Sequence, residues 1–180
     1  MRAAPHGRRA PGPRDRQLRH RVRCDFTGFL ATGGTSGPLF GMWFRDISRC
    51  ASPAGANASK LASGVAAGLA TIQKLGGANV GDNTTIDSLS PASDALTAAA
   101  AAGESVGEAL IAAAAAARAG AESTADLVAS RGRASYVGEL ARGVLDPGAV
   151  TIALFFQTAA ATCGTTAAHE PLAWLSSASQ

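Results

Sequence analysis

The chain is short of aromatics, of cysteine and of long apolar runs, and each shortage excludes something. Aromatic residues make up 5% of the 180 positions, against 47% hydrophobic residues in all. A core must therefore be filled chiefly by Ala, Leu, Val and Ile. A hydrophobic fraction that high excludes a wholly disordered chain, and the length suits one domain. The longest uninterrupted apolar run, Ala109 to Ala117, has nine residues, about half of the ~18 that a membrane-crossing helix needs. Three cysteines (Cys24, Cys50, Cys163) are odd in number, far apart and not grouped with the three histidines. Neither a disulfide framework nor a zinc site is expected, and a reducing cytoplasm fits best. No stretch alternates apolar and polar residues with β-branched enrichment, which argues against a sheet.

Charge is unevenly placed. Residues 1–23 hold eight of the sixteen basic residues and a single acid, Asp15, giving +7, while the rest of the chain carries −4. With Pro5, Pro11 and Pro13 and almost nothing apolar, this segment is expected to be a basic, disordered tail. A solvated appendage is the simpler reading; an arm for RNA or a membrane surface is the sharper one. No apolar stretch follows the charges as a secretory signal requires, and an amphipathic transit peptide fits poorly.

The remainder reads as helices. Leu61, Val65, Leu69 and Ile72 recur at four, four and three residues, placing them on one stripe of a helix over about 56–75 that stops at Gly76-Gly77. A second helix is expected over about 86–102, with Pro91 tolerated near its start and Gly103 at its end. Ser105 and Glu108 have capping-box spacing and open what should be the longest helix, reaching about Ser130. Its alanines (Ala113, Ala114, Ala117, Ala121) invite close helix packing. Asp146-Pro147 starts a last helix to about Ala161, with Asp as N-cap and Pro at the first helical position. The fold class is all-α, an antiparallel bundle or barrel.

Three loops carry more glycine, hydroxyl and charge than connectors need. Gly33-Gly34-Thr35-Ser36-Gly37-Pro38, ahead of a helix, suits an anion: glycine admits a phosphate to the backbone and hydroxyls add hydrogen bonds. It lacks the lysine of a P-loop, and such clusters also serve as ordinary turns. The run from Gly76 to Thr85 can fold back sharply and line a pocket, although its composition is that of an ordinary helix–helix connection. Arg131-Gly132-Arg133 fits a phosphate clamp, because guanidinium forks match phosphate oxygens, and the Asp146-Pro147-Gly148 helix start adds a positive end. Tyr136, the one tyrosine, reads most simply as a core aromatic.

Taken in order, GGTSGPLFG (33–41), GANVGDNTTIDSL (77–89), GRASYVGE (132–139) and LDPGA (145–149) resemble the nucleotide-binding component of dihydroxyacetone (glycerone) kinases, the L subunit or C-terminal kinase domain. The resemblance divides the chain into the tail at 1–23, a DhaL-like domain at 24–162 and an extension at 163–180, whose Leu172, Trp174 and Leu175 could pack back. It implies an up-and-down helical barrel, here incomplete at the N-terminus, with nucleotide held by loops at one end. Carried over residue by residue, it implies that Thr35 and Ser36 meet the nucleotide phosphates and that Gly76 lies on the adenine side. Thr85, placed with it at the adenine, stands where relatives often have Met. Arg133 corresponds to the nucleotide-contacting, catalytic arginine, and Gly148 with the backbone of Ala149 and Val150 completes the cradle.

One part of the family pattern is missing. Relatives carry a G-D-x-D-x-G run upstream of the GGTSGP loop, which with an earlier Asp supplies carboxylates for two Mg²⁺ ions. Here only Asp15 and Asp25 lie upstream, ten positions apart and outside any such motif. Magnesium relies on carboxylates besides phosphate oxygens, so no metal ligands are assigned. A wrong reading frame in that stretch, or a truncated remnant, would produce this departure. The function implied is phosphoryl transfer from ATP, or from bound ADP recharged by a phosphohistidine protein of the phosphotransferase system, to a small ketose. The ketose would be held through a histidine by a separate K subunit, for which this chain has no room. The alternative is a truncated, non-catalytic helical remnant or interaction module with weak or no nucleotide binding. The missing carboxylates weigh against catalysis by this chain, while the four motifs weigh for the family. No membrane partner is expected, and nucleic acid only through the tail.

Overall fold

The computed structural model describes residues 34, 36–50, 57–131, 133–136, 138–163 and 174–175, without the side chains of residues 133, 134 and 141. The expected tail at 1–23 and most of the extension at 163–180 lie outside them. Five α-helices account for most of the described residues: α1 (Ser36–Cys50), α2 (Ala58–Gly76), α3 (Thr85–Ala101), α4 (Val106–Ser123) and α5 (Pro147–Cys163). Short 3₁₀ turns at Thr124–Asp126, Arg133–Tyr136 and Gly138–Ala141 bridge α4 to α5. Among the described residues there is no strand, and no helix is long and apolar enough to cross a membrane. The all-α reading holds.

Local chemistry explains where the helices begin and end. Asn57 caps α2, its side chain accepting from the Lys60 amide at 2.8 Å. Gly77 closes α2 in the left-handed region (φ 64°), where a Cβ would be strained, and its N–H reaches the Gln73 carbonyl at 2.7 Å. Thr84 and Asp87 cap α3 reciprocally, as Ser105 and Glu108 cap α4. The α4 helix stops at Ser123, short of the Ser130 that its alanine content suggests, and at 18 residues it is shorter than the 19-residue α2. The fully buried Thr124 ends it: its hydroxyl donates to the Ala121 carbonyl at 2.6 Å and accepts the Asp146 amide at 2.9 Å. Tertiary bonds there outweigh helix propensity.

Consecutive helices run antiparallel, and small residues set their spacing. Early α2 lies on late α1, where a Cβ on Gly64 would come within 2.9 Å of the Ile47 Cα. Late α4 lies on early α3, where a Cβ on Gly120 would sit 2.2 Å from the Asp87 carbonyl oxygen. That carbonyl is available because Pro91, in the second turn of α3 rather than the first, has no N–H to offer it. Ser88 adds a buried bond from its hydroxyl to the Ala117 carbonyl at 2.8 Å.

The aromatic content is concentrated at one seam. Trp43 is fully buried, with Phe44, Phe155 and Phe156 at ring-centroid distances of 5.0, 4.9 and 6.1 Å. Four of the nine aromatics thereby join α1, the first helix, to α5, the last. A Cβ on Gly68 would fall 2.3 Å from Trp43 Cδ1, so the indole is seated where α2 has no side chain. Asp46 ties α1 to α2 by accepting the Thr71 hydroxyl at 2.6 Å and is paired with Arg45 at 3.0 Å. Trp174 is buried, donates to Gln157 Oε1 at 3.3 Å and carries Arg118 over its ring at 5.6 Å. Alternation of direction brings the starts of α1, α3 and α5 to one rim together with the ends of α2 and α4.

Candidate functional site

The rim is organised by three aspartates. The loop after Gly77 is folded from both sides by carboxylates. Asp87, buried in the first turn of α3, accepts the amides of Gly81 and Thr84, the latter at 2.7 Å. Asp82 accepts the Asn79 amide at 2.8 Å. Asn83, between them, adopts φ 57°, a region an Asn tolerates better than most residues, and its buried amide donates to the Leu127 carbonyl at 3.3 Å.

The stretch 127–131 is fastened against this loop. Ser130 donates its hydroxyl to Asp82 Oδ1 at 2.7 Å and its amide to the Asp82 carbonyl at 3.2 Å. Arg131 Nε donates to Asp82 Oδ2 at 2.8 Å, and its guanidinium lies over Gly77, 3.4 Å from where a Cβ would stand. The Asn79 amide, then Ser130 and Arg131, hold the Asp82 carboxyl down at about 2. Of the two arginines that suggest a phosphate clamp, Arg131 is thus already paired. Arg133 follows in a 3₁₀ turn, its side chain outside the described atoms.

At the start of α5, Asp146 Oδ2 accepts the Ala149 amide at 2.7 Å, and its carbonyl accepts the Val150 amide at 3.0 Å. Burial pushes its carboxyl above the ordinary value, opposed by the Ala149 and Gly148 amides and reinforced by the nearby Asp87. The Ala149 and Val150 amides expected at a phosphate are therefore engaged within their own helix. Gly148 packs on α3, where an added Cβ would lie 2.2 Å from Thr85 Oγ1. Thr85 in turn lines a small cleft with Ser36, Leu39, Phe40 and Ile72. Gly76 stands at its edge, where an added Cβ would come 4.0 Å from Leu39 Cδ1.

Four expected residues (Ser36, Gly76, Thr85, Gly148) thus come together at one rim. Thr35 lies outside the described residues. Leu39 and Phe40, which belong to the GGTSGPLFG motif but carry no assigned role in it, line the cleft with Ile72, whose spacing marks it as core, which it also is. Thr84-x-x-Asp87 carries a local signal in its capping spacing. Asp82 has a local partner in the Asn79 amide, but its role in joining two loops carries no local signal, because Ser130 and Arg131 are 48 and 49 residues away.

The three helix starts at this rim differ electrostatically. Those of α3 and α5 are closed by their own aspartates, whereas α1 begins at Ser36 with no acid in its first turn. It is the one of the three whose positive end faces no carboxylate of its own cap. Among the described residues, no three His, Cys, Asp or Glu side chains converge as a metal site. Asp87 and Asp146, both engaged as caps, do not fit a magnesium cage.

Known proteins sharpen the picture. The chain is 37% identical over 124 residues to the ADP-binding subunit DhaL of the PEP-dependent dihydroxyacetone kinase 1 of Listeria innocua, covering 69% of this chain and 57% of that one. It is 40% identical over 128 residues to the L-erythrulose 1-kinase of Mycolicibacterium smegmatis, covering 71% of this chain and 22% of that one. The crystal structure of the dihydroxyacetone kinase of C. freundii in its native form superposes with a TM-score of 0.52 at 30% identity, over 83% of this chain and 27% of that one. The chain therefore spans little more than half the length of the first relative and about a fifth of the second. The DAK2 domain model matches residues 27–161, three quarters of the sequence, and the chain belongs to the DAK2 domain family.

Proposed function

We propose that this rim binds ADP or ATP and that the chain is the nucleotide-presenting component of a dihydroxyacetone-kinase-type phosphotransferase. The observation that carries this reading is the start of α1 at Ser36, with no acid in its first turn, set in a cleft with two hydroxyls and three apolar side chains. Phosphates are placed at Thr35 and Ser36, where the α1 dipole and hydroxyls favour negative charge. The base is placed toward Gly76 and Thr85, beside the apolar Leu39, Phe40 and Ile72. Gly148 contributes by letting α5 close on Thr85, and Ala149 and Val150 by forming the helix turn that holds Gly148. Arg133 supplies a fixed positive charge for the nucleotide and for the phosphoryl group as it transfers.

Phosphoryl transfer further requires magnesium, which would neutralise charge on the transferring group. The described residues do not supply its carboxylates, so a metal-complete site draws them from elsewhere. The acceptor, a small ketose, is assigned to a separate K subunit, and the donor is ATP or a phosphohistidine protein that recharges bound ADP. The departure from the G-D-x-D-x-G pattern ahead of Gly33 favours a second reading, nucleotide binding without catalysis. Calorimetric titration of ADP with and without Mg²⁺ decides between them. Saturable binding supports the nucleotide site, and strong magnesium dependence supports a site that takes the magnesium–nucleotide complex. Absence of binding at millimolar ADP refutes both readings and leaves a helical scaffold.

A further inference from the structure

We infer that Asp82 is a positioning residue of this site: by gripping Ser130 and Arg131 it fixes where the backbone delivers Arg133. The inference rests on the reading of the rim as a nucleotide site. One carboxylate here joins two loops far apart in sequence. It accepts the Asn79 amide on its own side, and the Ser130 hydroxyl and Arg131 guanidinium from the other, all at 2.7–2.8 Å. The Ser130 amide to the Asp82 carbonyl, at 3.2 Å, and Asn83 to the Leu127 carbonyl, at 3.3 Å, extend the seam along the backbone. Residues 127–131 belong to no helix, so this seam takes the place of a helical ladder in fixing their path. Arg133 begins the next turn, two residues beyond the grip.

The charges separate positioning from a field effect. Asp82 neutralises Arg131, which lies over Gly77 at the edge of the rim. Replacing Asp82 with Asn removes a negative charge near a polyanionic ligand and releases a cation. Electrostatics alone would then tighten nucleotide binding. Loss of positioning would weaken it, because Arg133 no longer arrives in one place. The two effects have opposite signs.

The test uses the full chain with ADP as ligand. Asp82→Asn is expected to weaken ADP binding about 5- to 30-fold, and Arg131→Met, which keeps the apolar stem, to weaken it comparably. In an Arg133→Ala background the Asp82→Asn effect should largely vanish, since the two residues act as one unit. Amide hydrogen exchange over 128–136 should quicken in Asp82→Asn while that of α2 and α4 stays as in the parent. Unchanged or tighter ADP binding by Asp82→Asn overturns the inference while leaving the nucleotide site standing. An equal loss with and without Arg133 assigns Asp82 to general stability and also overturns it. If the parent chain binds no ADP, the nucleotide reading itself has failed, and the positioning role fails with it.

Discussion

Gly120→Ala tests the packing that holds the rim together. The residue lies inside α4, where alanine is intrinsically preferred over glycine by roughly 0.5–1 kcal/mol. Propensity alone therefore predicts stabilisation. The surroundings predict the reverse: a Cβ would stand 2.2 Å from the Asp87 carbonyl oxygen, 2.9 Å from Ser88 Cα and 3.0 Å from the Asp87 carbonyl carbon. All three are backbone atoms of α3, which cannot rotate away as a side-chain tip could. Forcing extra volume into such a contact costs about 1–3 kcal/mol, and backbone opposition puts this site at the upper end. The net expectation is about 2 kcal/mol of destabilisation, or a fall in Tm of about 4–8 °C for a domain of this size. Moving early α3 also moves the Asp87 carboxylate from the Gly81 and Thr84 amides, so ADP affinity should fall with stability. Gly76→Ala is the control: it too is helical, but its Cβ would meet only Leu39 Cδ1 at 4.0 Å, so Tm should hold or rise. Thermal unfolding by circular dichroism measures both. A Gly120→Ala protein with Tm at or above the parent's would refute the close α3–α4 approach.

Three further outcomes are expected. Arg133→Ala should weaken ADP binding about 10- to 100-fold by calorimetry, the worth of a charge-assisted hydrogen bond; parental affinity would remove Arg133 from the site. Asp146→Asn keeps a capping oxygen for the Ala149 amide and removes a buried charge facing Asp87, so at neutral pH its stability should match or exceed the parent's. Its advantage is present above the raised native carboxyl value and fades as pH falls through that value toward 3.8. Asp146→Ala, which loses the cap, should be less stable by about 1 kcal/mol, and equal urea midpoints for the two variants would contradict the assignment. Asp82, held down at about 2, contributes stability that is present above its ordinary value of 3.8 and is lost as pH falls toward 2. Asp82→Asn should flatten that acid limb of the urea midpoint, and an unchanged limb would show that the seam is not formed.

Much of the fold could be read from the residues because its determinants are local. Caps at Ser105 and Asp146 and the stop at Gly77 act within a turn of where they stand, and the stripe through Val65 and Ile72 is a property of one helix. The end of α4 was not legible for the opposite reason: Thr124 is held by the Asp146 amide, 22 residues on. Pro91 illustrates the same limit. Its chemistry opens a carbonyl on α3, yet only the arrival of Gly120 from α4 shows why an interior proline is tolerated there.

The site divides in the same way, and the division bears on how it works. Motif resemblance brings Ser36, Gly76, Thr85 and Gly148 forward, and the fold gathers them at one rim. What motif letters do not carry is which charges are already spent. Arg131 belongs to Asp82, the α5 amides to Asp146, and the start of α3 to Asp87. Each engagement removes a rival anion site from the rim, so that on the proposed reading the Ser36 end of α1 is where a phosphate would add charge compensation instead of displacing a carboxylate. If the rim takes a nucleotide as proposed, its three aspartates need not oppose that ligand: each carboxylate satisfies donors of its own, which leaves the phosphates the helix end at Ser36.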